Sequence, residues 1–110
     1  MITTHVLDTA LGRPASGVHI VLEVMDARDE WYVAGRGVTD ADGRLRTLLT
    51  AEPAPGIYRL VFDTRGYFEQ QGTRAYYPHV TVTFVVEEGE KQPHVPLLLS
   101  PFGYSTYRGS

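Results

Sequence analysis

A two-residue alternation of apolar and polar side chains recurs in segment after segment of this chain and limits the folds open to it. From His79 to Val86, the residues Val80, Val82, Phe84 and Val86 fall on one face, and Thr81 and Thr83 fall on the other. A pleated backbone turns successive side chains to opposite faces, so this period, filled by β-branched and aromatic residues, predicts a strand with one face on a core. Val18, Ile20, Leu22 and Val24 alternate in the same way with His19, Val21, Glu23 and Met25. Apolar Val21 and Met25 on the second face mark this segment as a central strand, buried on one side and partly covered on the other. Further strands are expected over Ile2–Leu7, Trp31–Thr39, Arg44–Leu48, Ile57–Asp63, His94–Leu99 and Tyr104–Arg108.

Between these segments lie turn signals: Gly12-Arg13-Pro14, Asp40-Ala41-Asp42-Gly43, Pro53-Ala54-Pro55-Gly56 and Glu87-Glu88-Gly89-Glu90. Glycine supplies positive φ, proline presets its own φ, and Asp or Asn side chains bond to nearby backbone. About eight short strands punctuated in this way predict an all-β sandwich. One stretch, Thr64 to Gly72, lacks the alternation and predicts one or two helical turns closed by Gly72 in a left-handed conformation.

Composition narrows the class. A chain of 110 residues has room for one core, so a single domain over 1–110 is expected. Hydrophobic and charged fractions of 43% and 21% are those of an ordinary globular protein and argue against disorder. With no cysteine, stability must come from packing or association rather than disulfides, and thiolate metal sites are excluded. A net charge of -3 with one lysine among ten basic residues offers no field for nucleic acid. The nine arginines favour fixed, paired contacts to planar anions or carbonyls. No apolar run approaches the ~20 residues of a membrane-spanning helix. The start Met1–His5 lacks a basic-then-apolar leader, and the chain lacks a Ser-Lys-Leu type ending, so a cytoplasmic protein without membrane partners is expected.

Four histidines titrate near neutral pH. His19 and His79 read as surface or satisfied side chains. His5 and His94 lie near strand ends, where side chains can converge on a cleft without disturbing a core. Arg44 and Arg46 flank Leu45 and share one strand face, either as a solvated edge or as a grip on a carbonyl or anion. There is no phosphate loop, no Gly-x-Ser-x-Gly nucleophile turn and no His-Glu-x-x-His pair. A metal triad of His5, Asp8 and His94 is conceivable but has no standard ligand spacing. The last eight residues, Gly103 to Ser110, read as a strand running into the carboxyl terminus, ordered where an end would ordinarily fray.

Taken together, Thr4-His5-Val6-Leu7-Asp8, Gly12-Arg13-Pro14-Ala15, Thr39-Asp40-Ala41-Asp42-Gly43-Arg44, Tyr67-Phe68, Tyr77-Pro78 and the run from His94 to Ser105 resemble the 5-hydroxyisourate hydrolases. These are the purine-catabolic members of the transthyretin-like family. The resemblance covers nearly the whole chain, and its most specific part is the ending Tyr107-Arg108-Gly109-Ser110, which hormone-carrying transthyretins lack. It implies a transthyretin-like β-sandwich of two four-stranded antiparallel sheets with one short helix, assembled as a homotetramer, a dimer of dimers with sites where dimers meet. It implies hydrolysis of 5-hydroxyisourate in urate degradation with no cofactor and no metal. It places catalytic residues on His5, Arg44 and His94 and substrate contacts on His5, Arg44, Tyr107 and Ser110. Either histidine can serve as general base. Ser110 can act through its hydroxyl or a terminal carboxylate, and the duty of Ser105 stays open. The competing reading is a transthyretin-like carrier of a small ligand, without catalysis.

Overall fold

The computed structural model describes residues 1–110. The first strand, β1 (Ile2–Asp8), alternates without a slip: Ile2, Thr4, Val6 and Asp8 are buried, and Thr3, His5 and Leu7 are half-buried on the opposite face. Two of its inward positions are polar and both are satisfied. The Thr4 hydroxyl donates to the Val95 carbonyl at 2.6 Å, and the Asp8 carboxylate accepts from the Tyr67 hydroxyl at 2.7 Å. Buried polar groups are tolerated only when paired in this way.

The remaining elements are β2 (Arg13–Pro14), β3 (His19–Met25), β4 (Trp31–Val38), β5 (Arg44–Leu49), β6 (Gly56–Phe62), α1 (Thr64–Glu69), β7 (Val80–Val86), β8 (His94–Ser100) and β9 (Gly103–Thr106). They form two sheets. In one, β1 lies between β8 and a flank shared by β5 and the two-residue β2, and β9 forms the far edge beyond β8. The other runs β4-β3-β6-β7 and is antiparallel throughout. Ile2, Val6, Ile20, Leu22, Leu60, Phe62, Leu97 and Leu99 fill the space between the sheets and are buried almost completely. Each such side chain contributes about 1.5–3 kcal/mol through removal from water.

The two-sheet sandwich with one short helix is as expected, but the first sheet has five strands instead of four, because β2 joins its edge, and one of its pairings is not antiparallel. β1 and β8 run parallel, Thr3 opposite His94 and Val6 opposite Leu97. Between β7, at the edge of one sheet, and β8 in the other, the chain crosses the sandwich, and such a crossover returns a strand in either direction. The two-residue β2 also arises where a turn was expected, because Ala15 N–H bonds to the Val6 carbonyl at 2.9 Å and holds Arg13–Pro14 beside β1. The strand expected to run into the carboxyl terminus stops at Thr106.

The helix begins where expected. Its N-cap is Asp63, whose side chain accepts from Gly66 N–H at 3.0 Å. A side chain at position 66 would collide with that carboxylate. After the last turn Gly72 takes φ of 67°, a left-handed conformation that costs glycine little.

Candidate active site

Three adjacent strands, β5, β1 and β8, build the site on the sheet face turned away from the core. Inward Leu45, Thr4 and Val95 fix the phase of each strand, so Arg44, His5, Thr3 and His94 must point outward. His5 lies opposite Arg44, and Thr3 lies opposite His94. These pairings join residues up to 91 positions apart in sequence.

The turn before β5 sets Arg44. Asp40 Oδ1 accepts from the backbone N–H of Asp42 at 2.9 Å and of Arg44 at 3.0 Å, and Gly43 N–H closes the turn on the Asp40 carbonyl at 2.9 Å. The Arg44 N–H is the main reason the Asp40 carboxyl is held below its ordinary range; partial desolvation opposes it, and the Asp42 N–H and the charges of Arg46 and Arg44 add to it. Gly43 has φ of 74° and lies so close to the Val6 carbonyl that a β-carbon would collide with it. The turn therefore presses directly on β1.

His5 Nε2 lies 2.9 Å from the Asp42 carbonyl oxygen. A carbonyl only accepts, so Nε2 carries the hydrogen, and in neutral His5 the lone pair sits on Nδ1. His94 is held at Nδ1 by the Thr3 hydroxyl at 2.8 Å. Burial pushes the His94 pKa below the ordinary 6.5, and the positive charges of Arg44, His5 and Arg46 push the same way, against the backbone of Thr3. Both causes disfavour the imidazolium. The neutral imidazole is thus the favoured form of His94 at pH 7.

A cleft of about 180 Å³ opens beside these residues, lined by Thr3, Arg44, Arg46, Gln92, His94 and Ser110 among others, and Met1 is its one hydrophobic wall. Ser110 reaches it because Gly109 N–H donates to the His94 carbonyl at 2.9 Å. Any side chain at position 109 would strike the His94 ring and carbonyl. The tail beyond Thr106 is therefore anchored without being a strand. Its approach is pinned by the Thr106 hydroxyl, which donates to the Pro96 carbonyl at 2.7 Å.

The structure thus brings Arg44, His94 and Ser110 to one cleft, with His5 beside it on β1. Tyr107 lies elsewhere: it lines an adjoining groove of about 360 Å³ with Val82, Phe84, Glu90 and Arg108, on whose wall His94 also sits. Ser105 is exposed opposite Leu98 and lines neither space. Asp8 faces the core, with its carboxylate bonded to Tyr67 and to the N–H groups of Ala10 and Leu11, so the His5, Asp8 and His94 triad does not form. Nowhere do three His, Asp or Glu side chains gather in a way that could hold a metal ion. His19 and His79 share a third groove on the outer face of the other sheet. Thr3 and Gln92 were not singled out by the sequence. Arg46 was visible there, since it sits two residues from Arg44 on the same strand face.

The model of the HIUase/Transthyretin family matches residues 2–109. The chain is 45% identical over 111 residues to 5-hydroxyisourate hydrolase of Mus musculus, covering 99% of this chain and 94% of the relative. It is 42% identical to 5-hydroxyisourate hydrolase of Salmonella typhimurium, covering 100% and 81%. Among solved structures, sea bream transthyretin in complex with thyroxine superposes with a TM-score of 0.93 at 34% identity, covering 98% of this chain and 93% of that one. Klebsiella pneumoniae 5-hydroxyisourate hydrolase superposes at 0.87 and 33%, covering 99% and 98%. With a family match over nearly every residue and relatives above 40% identity along its whole length, this chain belongs to the HIUase/Transthyretin family.

Proposed function

We propose that this protein hydrolyses 5-hydroxyisourate to 5-hydroxy-2-oxo-4-ureido-2,5-dihydro-1H-imidazole-5-carboxylate, a step of urate degradation. The observation that carries this reading is the placement of the His94 imidazole with the Arg44 guanidinium in one cleft with almost no apolar lining, where burial and the neighbouring cations favour the neutral ring. Relatives named as 5-hydroxyisourate hydrolases along the full chain support it. The two structural neighbours do not decide between branches, because the transthyretin superposes at least as well as the hydrolase.

In this reading His94 takes a proton from water, and the water oxygen attacks the ring carbonyl at an amide-like C–N bond. Arg44 holds the oxyanion through paired N–H donors, and the proton passes to the departing nitrogen as the C–N bond breaks. Proton transfer by a positioned base contributes about 10²- to 10⁴-fold. Oxyanion stabilisation by fixed donors contributes about 10²- to 10³-fold. His5, with Nε2–H committed to the Asp42 carbonyl, orients the substrate or water and does not turn that nitrogen to it as a base. Ser110 closes one end of the cleft. Tyr107 flanks His94 from the adjoining groove, where its ring meets substrate only if both spaces are occupied together. No cofactor or metal enters these steps. Four copies would assemble as two dimers and cover the open sides of the clefts. No helix is long and apolar enough to cross a membrane, and a cytoplasmic setting is part of the proposal.

The competing carrier reading draws on the transthyretin solved with thyroxine. A cleft carrying two arginines and one hydrophobic residue is poorly matched to a largely apolar guest. The test is to add the purified protein to 5-hydroxyisourate freshly made from urate and follow its ultraviolet decay. Acceleration over the spontaneous rate, lost by about 10²-fold or more in His94→Ala, is expected. Decay at the spontaneous rate would refute the hydrolase.

A further inference from the structure

The geometry points to Thr3 as the positioning residue of His94: its hydroxyl oxygen accepts a hydrogen bond from Nδ1–H, leaving the lone pair of Nε2 free for the Arg44 cleft. This rests on the reading of His94 as the base of a 5-hydroxyisourate hydrolase.

The contact, Thr3 Oγ1 to His94 Nδ1 at 2.8 Å, is the one hydrogen bond of that hydroxyl and of that ring. It joins directly opposed residues of the parallel β1–β8 pair, so both backbones are fixed by the ladder. Threonine is β-branched and stiff about χ1, so its oxygen is held in place. On another side of the ring, Gly109 packs so closely to Cδ2 and Cγ that it leaves no space for a β-carbon. With Nδ1 bonded to Thr3 and Gly109 packed on the Cδ2 side, Nε2 is the ring nitrogen without a hydrogen-bond partner.

A hydroxyl can donate or accept, and two considerations select acceptance. The groups around His94 are His5 on β1, Arg44 and Arg46 on β5, Glu90 in the turn before β8, and Tyr107, Arg108 and Ser110 of the tail. The charged side chains lining the cleft are those of Arg44 and Arg46, beside the Met1 ammonium, and these three cations favour a lone pair over an N–H pointing at them, against the single opposing charge of a carboxylate at Ser110. Glu90 is occupied with Arg108, at 3.5 Å, in the other groove. Second, imidazolium has hydrogen on both nitrogens. An acceptor at Nδ1 serves the neutral and the protonated ring alike, so a proton can arrive at Nε2 with no rearrangement of Thr3. A donor would have to turn over at every cycle.

The experiment compares Thr3→Val, which keeps the shape and removes the oxygen, with Thr3→Ser, which keeps the oxygen. Two quantities are measured: the pH profile of kcat/KM for 5-hydroxyisourate, and the ¹⁵N resonances of the His94 ring in labelled protein. For the parent, Nδ1 is expected to be protonated and Nε2 bare in the neutral ring. In Thr3→Val both tautomers should appear. Its kcat should fall by at least about tenfold, bounded by the roughly 10⁴-fold worth of a general base, with KM little changed and the acid limb of the pH profile displaced. Thr3→Ser should recover most of the rate and the parent tautomer. A parent ring protonated at Nε2, or a Thr3→Val enzyme with the parent rate and pH profile, would overturn the assignment. If Thr3→Val does not fold, the parent spectrum and Thr3→Ser decide. A parent without hydrolase activity would instead refute the function proposed above, and the tautomer measurement would still decide the role of Thr3.

Discussion

Replacing Tyr67 with phenylalanine should destabilise the fold strongly while leaving the chemistry of the site intact. The Tyr67 hydroxyl is buried and donates to Asp8 Oδ2 at 2.7 Å, and Asp8 is 1% exposed. The other oxygen of Asp8 already accepts from Ala10 N–H at 3.0 Å and Leu11 N–H at 2.9 Å. Burial, with the Asp8 carboxylate beside it, pushes the Tyr67 pKa up to about 12, so the phenol stays a donor across the working pH range. Tyr67→Phe leaves the buried carboxylate one donor short. A lost hydrogen bond to a charged group costs about 1.5–3 kcal/mol. At a urea slope of about 2 kcal/mol/M this lowers the unfolding midpoint by about 1 M. Trp31, the only tryptophan, is a convenient probe, since the Arg59 guanidinium sits 4.1 Å above its ring on the sheet surface. Protomer concentration must be held constant, because association shifts apparent stability. Asp8 faces inward and the site residues of β1 face outward, so kcat/KM of the folded variant should match the parent. An unchanged urea midpoint would refute the reasoning. A Tyr67→Phe/Asp8→Asn cycle with no coupling would show that the loss came from elsewhere.

Three further outcomes follow from the site. Arg44→Lys keeps the charge but loses the planar fork, so kcat/KM in the ultraviolet decay assay should fall by about 10²-fold, the worth of one oxyanion donor; a rate near the parent would remove Arg44 from the oxyanion. His94 must be neutral to act and its pKa is depressed, so the acid limb of kcat/KM, where the imidazole protonates, should be centred below 6.5; a limb centred above 6.5 would contradict the cause assigned. Gly109→Ala drives a methyl into the His94 ring and its carbonyl, so hydrolysis should drop while the urea midpoint, set by the core, barely moves; equal activity would show that the tail can shift at no cost.

Much of the architecture was legible because alternation is a local property. The predicted strands from Ile2 to Val86 agree with the observed ones to within a residue or two, and Asp40-Ala41-Asp42-Gly43 forms the turn that its side chains and glycine favour. Direction was not legible. Period two reads the same whichever way a neighbour runs, so the parallel β1–β8 pair was invisible. The tail was misread in part. Tyr104 and Thr106 alternate and pair with β8, but the following residues are held by the Gly109 N–H on the His94 carbonyl and the Arg108–Glu90 contact rather than by a ladder.

Which faces are buried, where the chain turns, and which residue types could perform proton transfer and hold an anion are written locally, because each depends on neighbours within a few residues. Which of those residues meet depends on the packed fold. Arg44 reaches His5, and Thr3 reaches His94, through strand registers spanning up to 91 positions. The same packing set Asp8 on Tyr67 instead of beside the histidines, and put Ser110 and Tyr107 on different sides of His94. A strand's phase is written in its own residues, whereas its register depends on how two sheets close over a common core.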